Sequence, residues 1–335
     1  MTTKSRKALA EQRLCAWLLA FACIATGVAT QAVAQEAPYP RKPIRWIVPY
    51  FAGSPIDINI RKVADATSRK LNGTIIVENR TGASGVIGAA EVAKAAPDGY
   101  TFLGTIGDPL IASTALIKAM PYDSMRDFTY ITKFTNGYTP LGIRAELKIE
   151  TLAQLIAAAK TKPLTYASMG PGSFPQVVLE ELNRVAGIKL TEIAYKSPPQ
   201  ASQALLSGEV DMYPVAPAQA REYVAQGKIH LLAAQSRSPM FPDVPTFADA
   251  GYNSTILSTP LWTGLLAPAK LPPDILEATL RALKAAVAED DDLKNFYAST
   301  RTQVVFNTPA EFEREVRAEY QAVIPLIKTL GIEPQ

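Results

Sequence analysis

From Ile44 onward, short apolar runs alternate with segments in which apolar residues recur every three or four positions. That alternation predicts strands and helices in turn, the pattern of parallel sheets with helices packed on their faces. Ile44 to Pro49 reads as the first strand. Ser54, Pro55 and Asp57 then spell a helix start, with Ser54 as N-cap and Pro55 at the first helical position. Ile56, Ile60, Val63, Ala64 and Leu71 supply its buried face. Thr74 to Glu78 reads as a second strand, and Asn79 to Gly85 as a glycine-containing turn into a helix reaching about Ala95. Pro97-Asp98-Gly99 turns the chain into a third strand, Tyr100 to Thr105.

A second unit of the same design follows: helix Leu152 to Lys160, strand Thr165 to Ala167, helix Pro175 to Ala186, strand Leu190 to Ile193, and helix Gln200 to Ser207 closed by Gly208. A strand near Met212 to Val215, a helix closed by Gly227 and the run Ile229 to Ala234 complete it. After Trp262 to Ala267 the pattern turns to long helices, Pro272 to Glu289 and Pro309 to Leu330. Asp290-Asp291-Asp292 reads as a solvated turn between helical stretches. Neither a repeat of solenoid period nor a low-complexity linker interrupts the chain. Two domains without a flexible linker are expected to be joined by closely spaced strand crossings, the construction of a hinged clamp.

The first residues change the electrostatic picture. Lys4, Arg6, Lys7 and Arg13 precede an apolar run from Leu14 to Val28, and Ala32-Val33-Ala34 has the small residues a signal peptidase accepts. The run is shorter than the roughly 20 residues a spanning helix needs. Residues 1–34 are therefore expected to be a cleaved signal peptide, giving a mature periplasmic chain from Gln35. The leader holds four of the 34 Lys and Arg, one of the 31 Asp and Glu, and both cysteines, leaving 34 − 4 = 30 basic and 31 − 1 = 30 acidic side chains. That neutral balance argues against a polyanion or nucleic-acid partner. No disulfide, thiol nucleophile or thiolate metal site is expected in the mature chain.

Catalytic chemistry finds little support. His230 is the one histidine and lies in a strand-like run. Gly82-Ala83-Ser84-Gly85-Val86 resembles a nucleophile elbow but has Val86 where the elbow needs glycine. A single histidine without cysteine excludes the common zinc sites, and the three aspartates lack calcium-loop spacing. Neither enzyme activity nor a cofactor is expected. Gly82, Gly85 and Gly88 match neither the dinucleotide fingerprint nor the P-loop. They can nonetheless bring backbone N–H groups at a helix start close to an anion. Three segments share this strand, small-residue loop and helix layout: Tyr50 to Pro55, Thr81 to Gly85, and Ser168 to Ser173. Helix N-termini converging on a cleft would bind carboxylates without arginine.

Several ordered segments carry a resemblance to a known family: Lys42-Pro43-Ile44-Arg45, Val48-Pro49-Tyr50-Phe51-Ala52-Gly53, Val77 to Gly85, Ala93 to Thr101, Met120 to Asp123, Tyr166-Ala167-Ser168, Ala194-Tyr195-Lys196, Phe241 to Thr246 and Gly264 to Pro268. Over nearly the whole mature chain the sequence resembles the Bug proteins, periplasmic receptors of tripartite tricarboxylate transporters. The resemblance implies an α/β fold of two periplasmic-binding-protein lobes, each a mainly parallel sheet flanked by helices, with the ligand cleft between them. Lobe one is expected at 39–142 plus 263–335, and lobe two at 143–262. Carried over by position, ligand-binding residues fall on Tyr50, Phe51, Ala52, Gly53, Ser54, Asp57, Thr81, Ser84, Gly85, Ser168, Ser173, Phe174, Gln176 and Tyr195. An aspartate common in the family falls on Val215, and Phe174 replaces a small polar residue. These departures point to an amine-free carboxylate with an apolar or aromatic body. The expected protein is a monomeric receptor that closes on a small organic acid and presents it to membrane transporter subunits. A sensor feeding a membrane signalling partner is the alternative, and an α/β hydrolase a weaker one.

Overall fold

In a computed structural model of the chain, residues 39–330 are described. The signal peptide expected at 1–34 lies outside them. Ile44, Trp46, Ile47 and Val48 make β1 (Ile44–Val48) a strand buried on both faces, as a continuous apolar run in the middle of a sheet should be. Ser54 then caps α1 (Pro55–Leu71): its side chain accepts from the Asp57 amide at 3.2 Å, and Pro55 occupies the first turn. β2 (Ile75–Asn79), α2 (Val86–Ala93) and β3 (Thr101–Thr105) follow, both strands pairing parallel to β1. The short α3 (Ala112–Leu116) leads to β4 (Phe128–Asn136).

β4 was not among the strands expected from the apolar pattern. Thr129, Thr132, Lys133 and Thr135 interrupt its apolar residues, and each polar side chain is satisfied in place. Thr132 donates to the Asn307 carbonyl at 2.8 Å, Lys133 pairs with Glu315, and Asn59 donates to Thr135 at 3.0 Å. Buried polar groups with partners cost little, so the strand sits in mid-sheet despite its composition.

The chain then crosses to β5 (Leu141–Arg144), and a second layer runs through α4 (Leu152–Ala159), β6 (Leu164–Ser168), α5 (Phe174–Ala186), β7 (Leu190–Ala194), α6 (Pro198–Ser207), β8 (Met212–Pro214), α7 (Pro217–Ala225), β9 (Ile229–Leu231) and α8 (Thr255–Ser258). It returns through β10 (Trp262–Pro268), α9 (Pro273–Glu289), α10 (Asp291–Thr300), β11 (Gln303–Val304) and α11 (Pro309–Thr329). Asp290, expected in a solvated turn, is instead the buried N-cap of α10. It accepts from the Leu293 amide at 3.0 Å and is held by Arg69 at 2.7 Å. The second aspartate, Asp291, starts a helix because the first one caps it.

Two mixed sheets result, with strand orders β11-β4-β10-β3-β1-β2 and β7-β6-β8-β5-β9. The parallel pairing expected from the sequence holds for β2-β1-β3 and for β7-β6-β8, where helices connect successive strands. The remaining pairs are antiparallel, because β4 and β10 run oppositely as the outgoing and returning strands of the crossing. At the crossing the Gly137 amide donates to the Leu261 carbonyl, tying 137–140 to 259–261. On one side of this hinge the two lobes share a buried apolar cluster: Val177 and Ile256 from the second sheet's helices pack with Ile111, Ala112, Trp262, Phe312 and Val323.

Candidate ligand-binding cleft

Because β1, β2 and β3 run parallel, their carboxyl ends at Val48, Asn79 and Thr105 lie along one edge of the first sheet. The ends of β6, β7 and β8 at Ser168, Ala194 and Pro214 do the same in the second. In open α/β sheets such edges are where ligands bind. A close approach joins the two edges. A Cβ built on Gly172, which has φ +72°, would stand 2.2 Å from Leu116 Cδ1 and 3.4 Å from Ala112 Cβ across the interlobe boundary. Only glycine fits there.

On the first edge, backbone dominates. Asp57 is buried and fully engaged: it accepts from the Gly53 amide at 2.8 Å, from Arg61 Nε at 2.9 Å and from Asn79 Nδ2 at 2.7 Å. Asn79 Nδ2 also donates to the Tyr50 carbonyl at 2.9 Å, so one carboxylate fixes the shape of 50–53. Burial works to raise the Asp57 pKa, but the bonds from Arg61, Asn79 and Gly53 outweigh it and hold the group below its ordinary range. Ala52 and Gly53 are left exposed, and Phe51 is 77% exposed and turned to solvent. Tyr50 is half-buried, its hydroxyl 3.5 Å from Thr105 Oγ1. Ser54 spends its hydroxyl on the cap of α1.

The next loop is unusual in its backbone. Gly82, Ala83, Ser84 and Gly85 all have positive φ, at 125°, 46°, 51° and 91°. Two of these are non-glycine residues in a left-handed conformation that side chains disfavour. The Gly85 amide donates to the Gly82 carbonyl at 2.9 Å, closing the turn, while Thr81 and Ser84 stand exposed at its tip. Gly85 is buried, and a Cβ there would meet Pro49 and Pro109 at 3.3 Å.

The second edge is built differently, because its polar side chains bond to one another. Ser168 is 0% exposed; its hydroxyl donates to Glu192, and its carbonyl accepts from the Tyr195 amide at 2.9 Å. Gln176, also buried, donates to Glu192 Oε2 at 2.8 Å and accepts from the Gly172 amide at 2.7 Å. Ser173 is the N-cap of α5 and accepts from the Met169 amide at 3.3 Å. Tyr195 donates to Glu209 at 2.8 Å, and burial first, then this carboxylate, push its hydroxyl up to about 12. Val215 is 0% exposed within the second lobe's core.

Between the lobes lies a cavity of about 40 Å³ whose walls include Asp108, Gly172, Phe174, Leu261, Trp262 and Glu319. Of the ligand residues expected from sequence, Phe174 lines it. Asp108 and Glu319 were not anticipated. Burial pushes the Asp108 carboxyl up to about 6. It pushes Glu319 up to about 7, against a bond donated by Trp262 Nε1 at 2.9 Å and assisted by the charge of Asp108. A signal existed for Glu319, which falls on the apolar stripe Phe312, Val316, Val323 and Ile327 of α11, where a carboxylate is out of place. Asp108-Pro109 follows β3 as the other loops follow their strands, a third instance of the layout already read twice in this lobe.

Among the described residues no group of His, Cys, Asp and Glu could hold a metal ion, and no helix is long and apolar enough to cross a membrane. Two mixed α/β sheets, a double crossing and facing carboxyl edges define a two-lobed periplasmic-binding-protein fold. Residues 59–332 match the family profile described as tripartite tricarboxylate transporter family receptor. The chain belongs to this family of solute-binding receptors. It is 36% identical over 286 residues to a UPF0065 protein encoded in the gbd 5′ region of Cupriavidus necator, covering 84% of each. It is 32% identical over 307 residues to a UPF0065 protein of Bordetella bronchiseptica, covering 90% of this chain and 89% of that one. A TctC solute-binding protein from Polaromonas superposes with a TM-score of 0.76 at 27% identity, over 87% of this chain and 100% of that one. An R. palustris protein with adipate gives 0.73 at 25% identity, over 89% and 100%. MatC from Rhodopseudomonas palustris with bound malate gives 0.70 at 26%, over 86% and 100%.

Proposed function

We propose that the protein is exported, captures a small organic acid between its lobes, and presents the closed form to the membrane subunits of a tripartite tricarboxylate-type transporter without turning the ligand over. Lobe one would comprise 39–142 and 263–335, and lobe two 143–262. The observation that carries the reading is the turn Gly82 to Gly85, four successive positive-φ residues at a helix start on the carboxyl edge of the first sheet. Strained backbone of this kind clusters at ligand sites, and amides at a helix start favour a carboxylate. Ala52 to Ser54, held by Asp57, supply a second helix start beside it. The adipate and malate of the two R. palustris proteins are acids of the size such a cleft would take. Ser173, Phe174 and Tyr195 would close over the ligand from lobe two, while Asp57, Ser168 and Gln176 hold the loops in shape.

A thermal-shift screen of organic acids tests this. A ligand at a hundred times its dissociation constant stabilises the folded state by about 2.7 kcal/mol. At least one small carboxylate is expected to raise the melting temperature, without being consumed. Stabilisation confined to sugars, cations or nucleotides, or turnover of the bound acid, would overturn the reading.

A further inference from the structure

The hinge-side cavity has a chemistry that the anion seat does not explain. Its lining contains no lysine, arginine or histidine, yet two carboxyl side chains, Asp108 and Glu319, stand in walls otherwise made largely of Ile, Val, Leu, Phe and Trp. Glu319 has one donor, Trp262 Nε1. Asp108 is partly exposed at the cavity wall, and among the described residues it has no hydrogen-bond or ion-pair partner. The other titratable groups around the pair do not neutralise it. The charge of Asp108 pushes the Tyr50 phenol up, Glu315 adds to the negative field at Glu319, and Lys133, paired with Glu315, offsets only part of it. An unpaired carboxylate in such surroundings is costly and calls for a donor.

We propose that Asp108 is the ligand-selecting residue of this receptor, and that the hinge-side cavity receives the protonated amine of an amine-bearing carboxylate. The inference rests on the acid-receptor reading above and deepens it. Gly85 packs against Pro109, the neighbour of Asp108, so the 82–85 turn and the loop that carries Asp108 lie side by side. The cavity sets the two carboxyls among apolar side chains. A second ligand carboxylate there would face two carboxyls of like charge, whereas an ammonium gains from both and from the neighbouring rings of Phe174 and Trp262. Asp108 thereby takes a role that the sequence reading sought at Val215.

Calorimetric titration at pH 7.5 tests the proposal with aspartate, glutamate, 4-aminobutyrate and 5-aminovalerate against succinate, glutarate, butyrate and pentanoate. At least one amine-bearing acid should bind more tightly than its amine-free counterparts. Asp108→Asn should lower that affinity by at least about thirty-fold, the size expected for removing one partner of a buried charge pair. Asp108→Glu, which keeps the charge, should retain the preference, and it serves as the readout if Asp108→Asn does not fold. Tighter binding of the amine-free acids, or an unchanged preference in Asp108→Asn, would overturn the inference and leave the acid receptor standing. Binding of none of the eight would overturn that reading and the inference together.

Discussion

The two edges that face each other across the hinge solve the same problem in opposite ways. On the first, the side chains that matter are turned inward, as Asp57 is, so that Ala52, Gly53 and the tip of the 82–85 turn present backbone to the cleft. On the second, Ser168, Gln176 and Glu192 bond to one another, and Tyr195 is held by Glu209. A backbone seat has fixed dipoles and little entropy to lose on binding. A braced polar wall keeps its shape. Serine and glutamine are therefore spent on bracing one lobe, while plain glycine and alanine stand exposed at the edge of the other.

The largest expected effect comes from Gly85→Val. With φ at +91° and Pro49 and Pro109 at 3.3 Å from a Cβ, the substitution distorts the turn itself. We expect acid binding to be lost in titration, with a stability loss of about 1–3 kcal/mol in denaturant unfolding. Retained affinity would mean that the seat lies elsewhere. The mirror experiment on the other edge is Glu192→Ala, which strands the buried Ser168 hydroxyl and the Gln176 amide. It should cost about 1–3 kcal/mol of stability and weaken binding only through a looser lobe two. If it abolishes binding with no change in unfolding, the second edge is a contact surface and the contrast fails.

The smallest effect is a gain. Glu319 holds its proton more tightly folded than unfolded, its pKa rising from 4.5 to about 7. Its contribution is therefore unfavourable above about pH 7, and that cost disappears as the pH falls towards 4.5. Glu319→Gln, still able to accept from Trp262, should be more stable than the parent at pH 8 by about 1–3 kcal/mol, and the difference should vanish by about pH 4. Melting curves at the two pH values check the sign.

Much of this arrangement could be read along the chain. Ser54-Pro55 marked a helix start because capping is local chemistry, and the structure places Ser54 as the cap with Pro55 in the first turn. The family and the two-lobed α/β architecture were legible in ordered segments spread over the chain. What escaped was whatever depends on partners distant in sequence. β4 hid behind Lys133 and its threonines, whose partners outside the strand lie at least 76 residues away. Asp290 passed for a solvated turn because Arg69 is 221 residues distant. Asp108 carried no motif to mark it.

The central claim is that the acid is held by the backbone of the first edge. Amide hydrogen exchange, compared with and without the acid found in the thermal screen, tests it most directly. The account predicts added protection at Ala52, Ala83 and Ser84, whose amides are not spent within the two loops, larger than any change at Ser168 to Ser173. Protection confined to the second edge, with Ala52, Ala83 and Ser84 exchanging as before, would contradict it.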